Sequence, residues 1–104
     1  MAEVRIEPKD FGKTAAIQNG DVIEVELQEN PTTGFRWQAS SGSHLAPSGD
    51  QFVSSKDPAP GAAGTRILRF RAVSLGSGVV RLQLRRECES SPAQQTVEIP
   101  YEVR

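Results

Sequence analysis

The sequence predicts an all-β sandwich, on three observations. Apolar and polar residues alternate along most of the chain, apolar residues at helical spacing are almost absent, and Gly, Pro, Ser and Thr clusters separate the alternating runs. A period of two places successive side chains on opposite faces of a strand, so each run has one face for a core and one for solvent.

The first alternating pairs, Val4 with Ile6 and Ala15 with Ile17, are expected to supply a short edge strand. In the run Val22 to Leu27, Ile23, Val25 and Leu27 share the inward phase, and Glu24 and Glu26 point outward. A turn from Pro31 to Gly34 leads to a strand over Phe35 to Ala39, where Trp37 is the largest core candidate. A weaker strand is expected over Asp50 to Ser54, carrying Phe52, after a polar loop Ser40 to Gly49 that holds His44 as an exposed residue. Leu68, Phe70 and Ala72 then alternate with Ile67, Arg69 and Arg71, before a turn at Gly76-Ser77-Gly78. Val80, Leu82 and Leu84 form the inward phase of the returning strand, and Val97, Ile99, Tyr101 and Val103 that of the last. Pro100 lies on its outward phase, which requires an open edge or a bulge there because proline cannot donate to a ladder. About seven to eight short strands in a chain of this length fit an Ig-like β-sandwich, with a small barrel as the alternative.

Length and composition bound the rest. The 104 residues, 37% hydrophobic and 24% charged, fit a single domain spanning 1–104. Twelve Lys and Arg against thirteen Asp and Glu provide no basic field for a phosphate backbone, so no nucleic-acid partner is expected. No apolar stretch approaches the ~20 residues of a spanning helix, so no membrane partner is expected. The N-terminal residues lack the apolar run of a secretory signal, which a mature secreted or periplasmic form would also lack; otherwise the expectation is cytoplasmic. The single cysteine, Cys88, excludes an internal disulfide, and with one histidine, His44, no cofactor or structural zinc site is expected. Cys88 as nucleophile with His44 as base is the best enzyme candidate, and no elbow or oxyanion pattern accompanies either residue, so the chain is read as a non-enzyme.

Three connections are too rich in Gly, Pro, Ser and Thr to be plain hairpin turns: Asn30 to Gly34, Lys56 to Thr65 and Arg86 to Gln94. If the strands run in order, all three emerge at one end of the sandwich and form a three-loop binding surface. Within the first, Pro31 fixes its own φ and biases Asn30 to extended backbone, while Gly34 permits a positive φ at the exit. Thr32 and Thr33 form a narrow tip between them.

The block Asn30-Pro31-Thr32-Thr33-Gly34-Phe35, followed by Trp37, resembles the signature of the chagasin-type inhibitors of papain-like cysteine peptidases. By the family's order, Gly61-Ala62-Ala63-Gly64-Thr65 is similar to its glycine-rich second loop. Its third loop is of Arg-Pro-Trp type. Here that stretch is Arg85-Arg86-Glu87-Cys88, which keeps an arginine but has Glu87 and Cys88 where the family places proline and tryptophan. The resemblance implies an Ig-like inhibitor that acts reversibly, competitively and without a covalent bond. Its Thr32-Thr33 tip would enter the peptidase cleft, flanked by the other two loops. Gly61 and Gly64 would let backbone approach the enzyme closely, and Arg85 and Arg86 would pair with acidic groups on it. The partner implied is a papain-like cysteine peptidase, bound by a monomer. Loss of the tryptophan anchor is expected to cost about 2 kcal/mol of affinity unless other contacts replace it. An Ig-like adhesion module that inhibits nothing is the alternative.

Overall fold

The computed structural model describes residues 3–30, 34–54, 64–86 and 92–104. Eight strands are present among them: β1 (Glu3–Ile6), β2 (Ala15–Ile17), β3 (Val22–Glu29), β4 (Phe35–Ser40), β5 (Leu45–Val53), β6 (Gly64–Ala72), β7 (Gly76–Arg86) and β8 (Gln95–Val103). They form two four-stranded sheets, one in the order β1-β3-β6-β5 and the other in the order β2-β8-β7-β4. The fold is therefore all-β, and the inward phases read from the alternation meet in its centre. Ile23, Val25 and Leu27 of β3, Val80 and Leu82 of β7, and Ile99 and Tyr101 of β8 are all at most 2% exposed. Burial of these aliphatic and aromatic side chains between two twisted sheets is the dominant favourable term in the fold.

Four expectations change. The N-terminal residues do not make one edge strand; β1 pairs parallel with β3 in one sheet and β2 pairs parallel with β8 in the other, with the 3-10 turn Pro8–Asp10 between them. The strand carrying Phe52 starts earlier, at Leu45, because Leu45 is buried and the polar residues after it lie on a sheet edge, where a register shift between Pro47 and Gly49 absorbs the proline. Gly76-Ser77-Gly78 belongs to β7, paired with Val103, Glu102 and Tyr101, and the reversal falls at Val73 to Leu75. The missing side chain at Gly78 has a packing reason: a Cβ there would lie 2.5 Å from Tyr101 Oη. His44 is half-buried, with Nδ1 3.0 Å from Ser74 Oγ and its ring edge-on to Tyr101. It packs beside Gly76, at the opposite end of β7 from Arg86, so nothing at His44 supports the Cys88-His44 pairing; Cys88 itself lies outside the described residues.

Pro100 pairs with Val79 without a break in register, and β2 covers β8 only from Tyr101 to Val103. One flank of β8 is thus open at the proline, the first of the two arrangements it allows. Glu24, in the outward phase, is nonetheless buried, because β1 and β6 flank it on both sides and Arg69 Nε reaches its carboxylate at 3.5 Å.

Candidate functional site

The strand registers bring the roots of the three long connections to one end of the sandwich. In the first sheet Glu29 is opposite Gly64, and Val53 is opposite Thr65. In the second, Phe35 is opposite Arg86, and Leu84 is opposite Gln95. The connections β3–β4, β5–β6 and β7–β8 therefore leave the same end, as the strand order predicts. Pro31, Thr32, Thr33, Gly61, Ala62, Ala63, Glu87 and Cys88 lie outside the described residues, as do Lys56 to Pro60. Asn30, Gly34, Phe35, Gly64, Thr65, Arg85 and Arg86 are described, and all sit at or next to these roots.

Gly34 takes φ +80°, the left-handed conformation expected of the exit from the first connection, with open space around it. Phe35 then starts β4, and the Arg86 guanidinium sits 4.9 Å from the centre of its ring. This cation–π contact ties the root of the first connection to that of the third. Gly64 is buried and its open side already has an occupant. A Cβ there would overlap Phe52 Cζ and come within 2.6 Å of the Val53 carbonyl oxygen. The freedom expected to admit an enzyme backbone at this position admits the Phe52 ring instead.

Beneath the roots lies a polar cluster not singled out in the sequence. Glu29 is on the inward phase of β3, after Ile23, Val25 and Leu27, and its side chain is fully buried. Arg66 is on the inward phase of β6, before Leu68, Phe70 and Ala72. Arg66 Nη2 and Nε donate to Glu29 Oε2 at 2.6 and 3.1 Å, while Nη1 donates to Asp50 Oδ1 at 2.9 Å. The other Glu29 oxygen accepts the Trp37 backbone N–H across the sandwich at 2.9 Å, and Trp37 Nε1–H donates to the Gln28 carbonyl at 2.8 Å. The Arg66 guanidinium also lies over the Phe52 ring, 5.3 Å from its centre. The hydrogen bond to Glu29 raises the Arg66 pKa above its ordinary value; partial burial opposes this, and Asp50 adds to it. A signal for the cluster does exist in the sequence: opposite charges on inward phases, at the ends of β3 and β6 that border long connections.

Among the described residues, no group of three or more His, Cys, Asp or Glu side chains is placed to hold a metal ion.

The chain matches the family model of the chagasin family peptidase inhibitor I42 over residues 16–103. It is 30% identical to chagasin of Trypanosoma cruzi over 77 residues, which span 68% of this chain and 70% of chagasin. Among solved structures, the cysteine protease inhibitor EhICP2 from Entamoeba histolytica matches with a TM-score of 0.90 at 21% identity, over 100% of this chain and 97% of the other. The solution structure of amebosin matches at 0.82 and 24% identity over 98% of both chains. PbICP-C, solved in complex with falcipain-2, matches at 0.62 and 12% identity over 98% of this chain and 89% of its own. At these identities the solved structures establish a shared fold.

Proposed function

This chain belongs to the chagasin family of peptidase inhibitors, and from that premise we propose that it is a reversible, competitive, non-covalent inhibitor of papain-like cysteine peptidases. The observation that carries the reading is the block Asn30 to Phe35 at the end where three long connections share roots, with its entry and exit tied to the core by Glu29 and Trp37.

A loop enters a catalytic cleft productively when its shape exists before binding, because ordering each rotamer-rich side chain at an interface costs about 0.5–1.5 kcal/mol. Pro31 restricts the entry and Gly34 makes the turn at the exit. Thr32 and Thr33 are small, branched and hydroxyl-bearing, the side-chain types a narrow polar cleft would admit. A wedge of this kind occupies the space of a substrate, so it competes with substrate and leaves no bond to hydrolyse. Asn30 and Phe35 complete this loop. Gly61, Ala62, Ala63 and Thr65 form the second contact, on a root where Gly64 packs against Phe52, and Arg85, Arg86, Glu87 and Cys88 form the third. Arg86 over Phe35 supplies a flat guanidinium–aromatic platform beside the wedge, and arginine with an aromatic is the composition typical of interface anchors.

The test is titration of papain with the protein, read with a fluorogenic substrate under reducing conditions, together with a variant carrying Thr32→Lys and Thr33→Lys. Stoichiometric inhibition reversed by dilution is expected for the natural sequence. The double variant should keep its unfolding transition and lose inhibition. No inhibition of papain or its relatives at micromolar protein would overturn the reading in favour of a non-inhibitory binding module. A double variant as potent as the natural protein would remove the wedge.

A further inference from the structure

The Glu29–Arg66 pair closes one end of a core built mainly of apolar side chains, and stability alone does not account for it. Replacing a buried ion pair by well-packed apolar side chains is often neutral or stabilising, since the attraction must first repay the desolvation of both charges. What a charged, bidentate contact supplies beyond apolar packing is direction. Here the direction is specific. One carboxylate receives Arg66 from the neighbouring strand on one oxygen and the Trp37 N–H from the opposite sheet on the other. Glu29 is the last residue of β3 and Trp37 the third of β4, so that carboxylate joins both sides of the first connection across the gap between the sheets. Arg66 is the third residue of β6, two beyond Gly64, and its guanidinium also rests on Phe52 near the end of β5. The same cluster therefore grips both sides of the second connection. The Glu29 side chain is fully buried and that of Arg66 is 14% exposed, so water competes little for either.

We infer that Glu29 and Arg66 are positioning residues: without touching the peptidase, they hold the first and second connections in one fixed relation so that both engage the cleft together. This rests on the proposed inhibitor function, and the experiment separates the two. The full chain is prepared in its natural sequence, as Glu29→Gln, which keeps one acceptor oxygen but sets an NH2 group against either Arg66 or the Trp37 N–H, and as the double variant Glu29→Met with Arg66→Met, which removes the pair without stranding a charge.

The first readout is made on the free protein: backbone order parameters of Asn30, Gly34 and Thr65, with Val73 at the far end as control. In the double variant a drop confined to the first three is expected; unchanged values, or a uniform drop that includes Val73, would overturn the inference. The second readout is dissociation from papain. The double variant should leave at least about tenfold faster than the natural protein, and Glu29→Gln, which loses one of the two contacts, should fall between them. A double variant that is less heat-stable but dissociates at the natural rate would reduce the pair to a purely structural role and overturn the inference. Should the double variant not fold, Arg66→Lys replaces it. That change keeps the charge but not the fork that reaches Glu29 and Asp50 together, and it should show the same localised drop with intermediate dissociation; natural behaviour in both would overturn the inference. If the natural protein itself does not bind papain, the proposed function fails, and the order parameters still decide for or against the positioning role.

Discussion

Gly64→Ala puts a methyl group into space that the Phe52 ring and the Val53 carbonyl already fill. The Gly64 backbone is outside the positive-φ region, so alanine brings no conformational strain there. In an open strand position this change would stabilise the fold by about 0.5–1 kcal/mol, since glycine loses more backbone entropy on folding. The packing reverses that sign. The new Cβ would overlap Phe52 Cζ and lie 2.9 Å from Cε1 and 2.6 Å from the Val53 oxygen, and the oxygen belongs to backbone that cannot swing away. Overpacking of this kind costs about 1–3 kcal/mol. If Phe52 rotates out to make room, it leaves the Arg66 guanidinium, forfeiting a cation–π contact of about 0.5–1 kcal/mol. The entropy gain and the cation–π loss roughly cancel, so a net loss of about 1–3 kcal/mol is expected, or a melting temperature lower by roughly 5–20 °C. Urea unfolding followed by Trp37 fluorescence measures it directly. In a Phe52→Ala background the cost of Gly64→Ala should fall without vanishing, because the Val53 carbonyl remains. Equal or greater stability of Gly64→Ala in the natural background would refute the packing argument and free Gly64 for the surface role expected from its sequence.

Two further outcomes follow from the far end and the outer face of the sandwich. Tyr101→Phe removes the donor to the Ser41 carbonyl, a buried bond of 3.0 Å, and should cost about 1 kcal/mol in urea unfolding while leaving peptidase inhibition unchanged, since Tyr101 lies away from the loops. On the outer face, a hydrogen bond with Glu24 and then the Glu24 charge hold the Glu3 carboxyl above its ordinary value, and the same hydrogen bond holds Glu24 below its own. The Glu3 contribution to stability is present below the ordinary glutamate value of 4.5 and is lost as pH rises through its higher folded value; that of Glu24 is present above 4.5 and is lost as pH falls through its lower one. Glu3→Gln keeps a donor for Glu24 at every pH, so its urea midpoint should rise relative to the natural protein between pH 4.5 and neutrality, and an equal difference at both would count against the shared proton.

The sequence by itself determined the class of fold and most of the core. Alternation with period two is a property of each strand alone, so Ile23, Val25 and Leu27, or Val97, Ile99, Tyr101 and Val103, declare a common face whatever lies opposite. It also determined where the long connections would leave the sandwich, and the turn at Gly34, because glycine acts on its own φ. Tertiary structure decided what depends on residues distant in the chain. Whether Gly76 to Gly78 turn or extend depended on the Tyr101 ring that Gly78 admits, and what Gly64 is for depended on Phe52. The early residues Val4 and Ala15 went to different sheets because β3 and β8 each offered a bare edge. Most consequentially, the alternation puts Glu29 and Arg66 on inward phases, but nothing local to either strand says that they meet. Their burial exists only because β3 and β6 pair in a register that sets Arg66 diagonally across from Glu29, where each charge offsets part of the other's cost of leaving water.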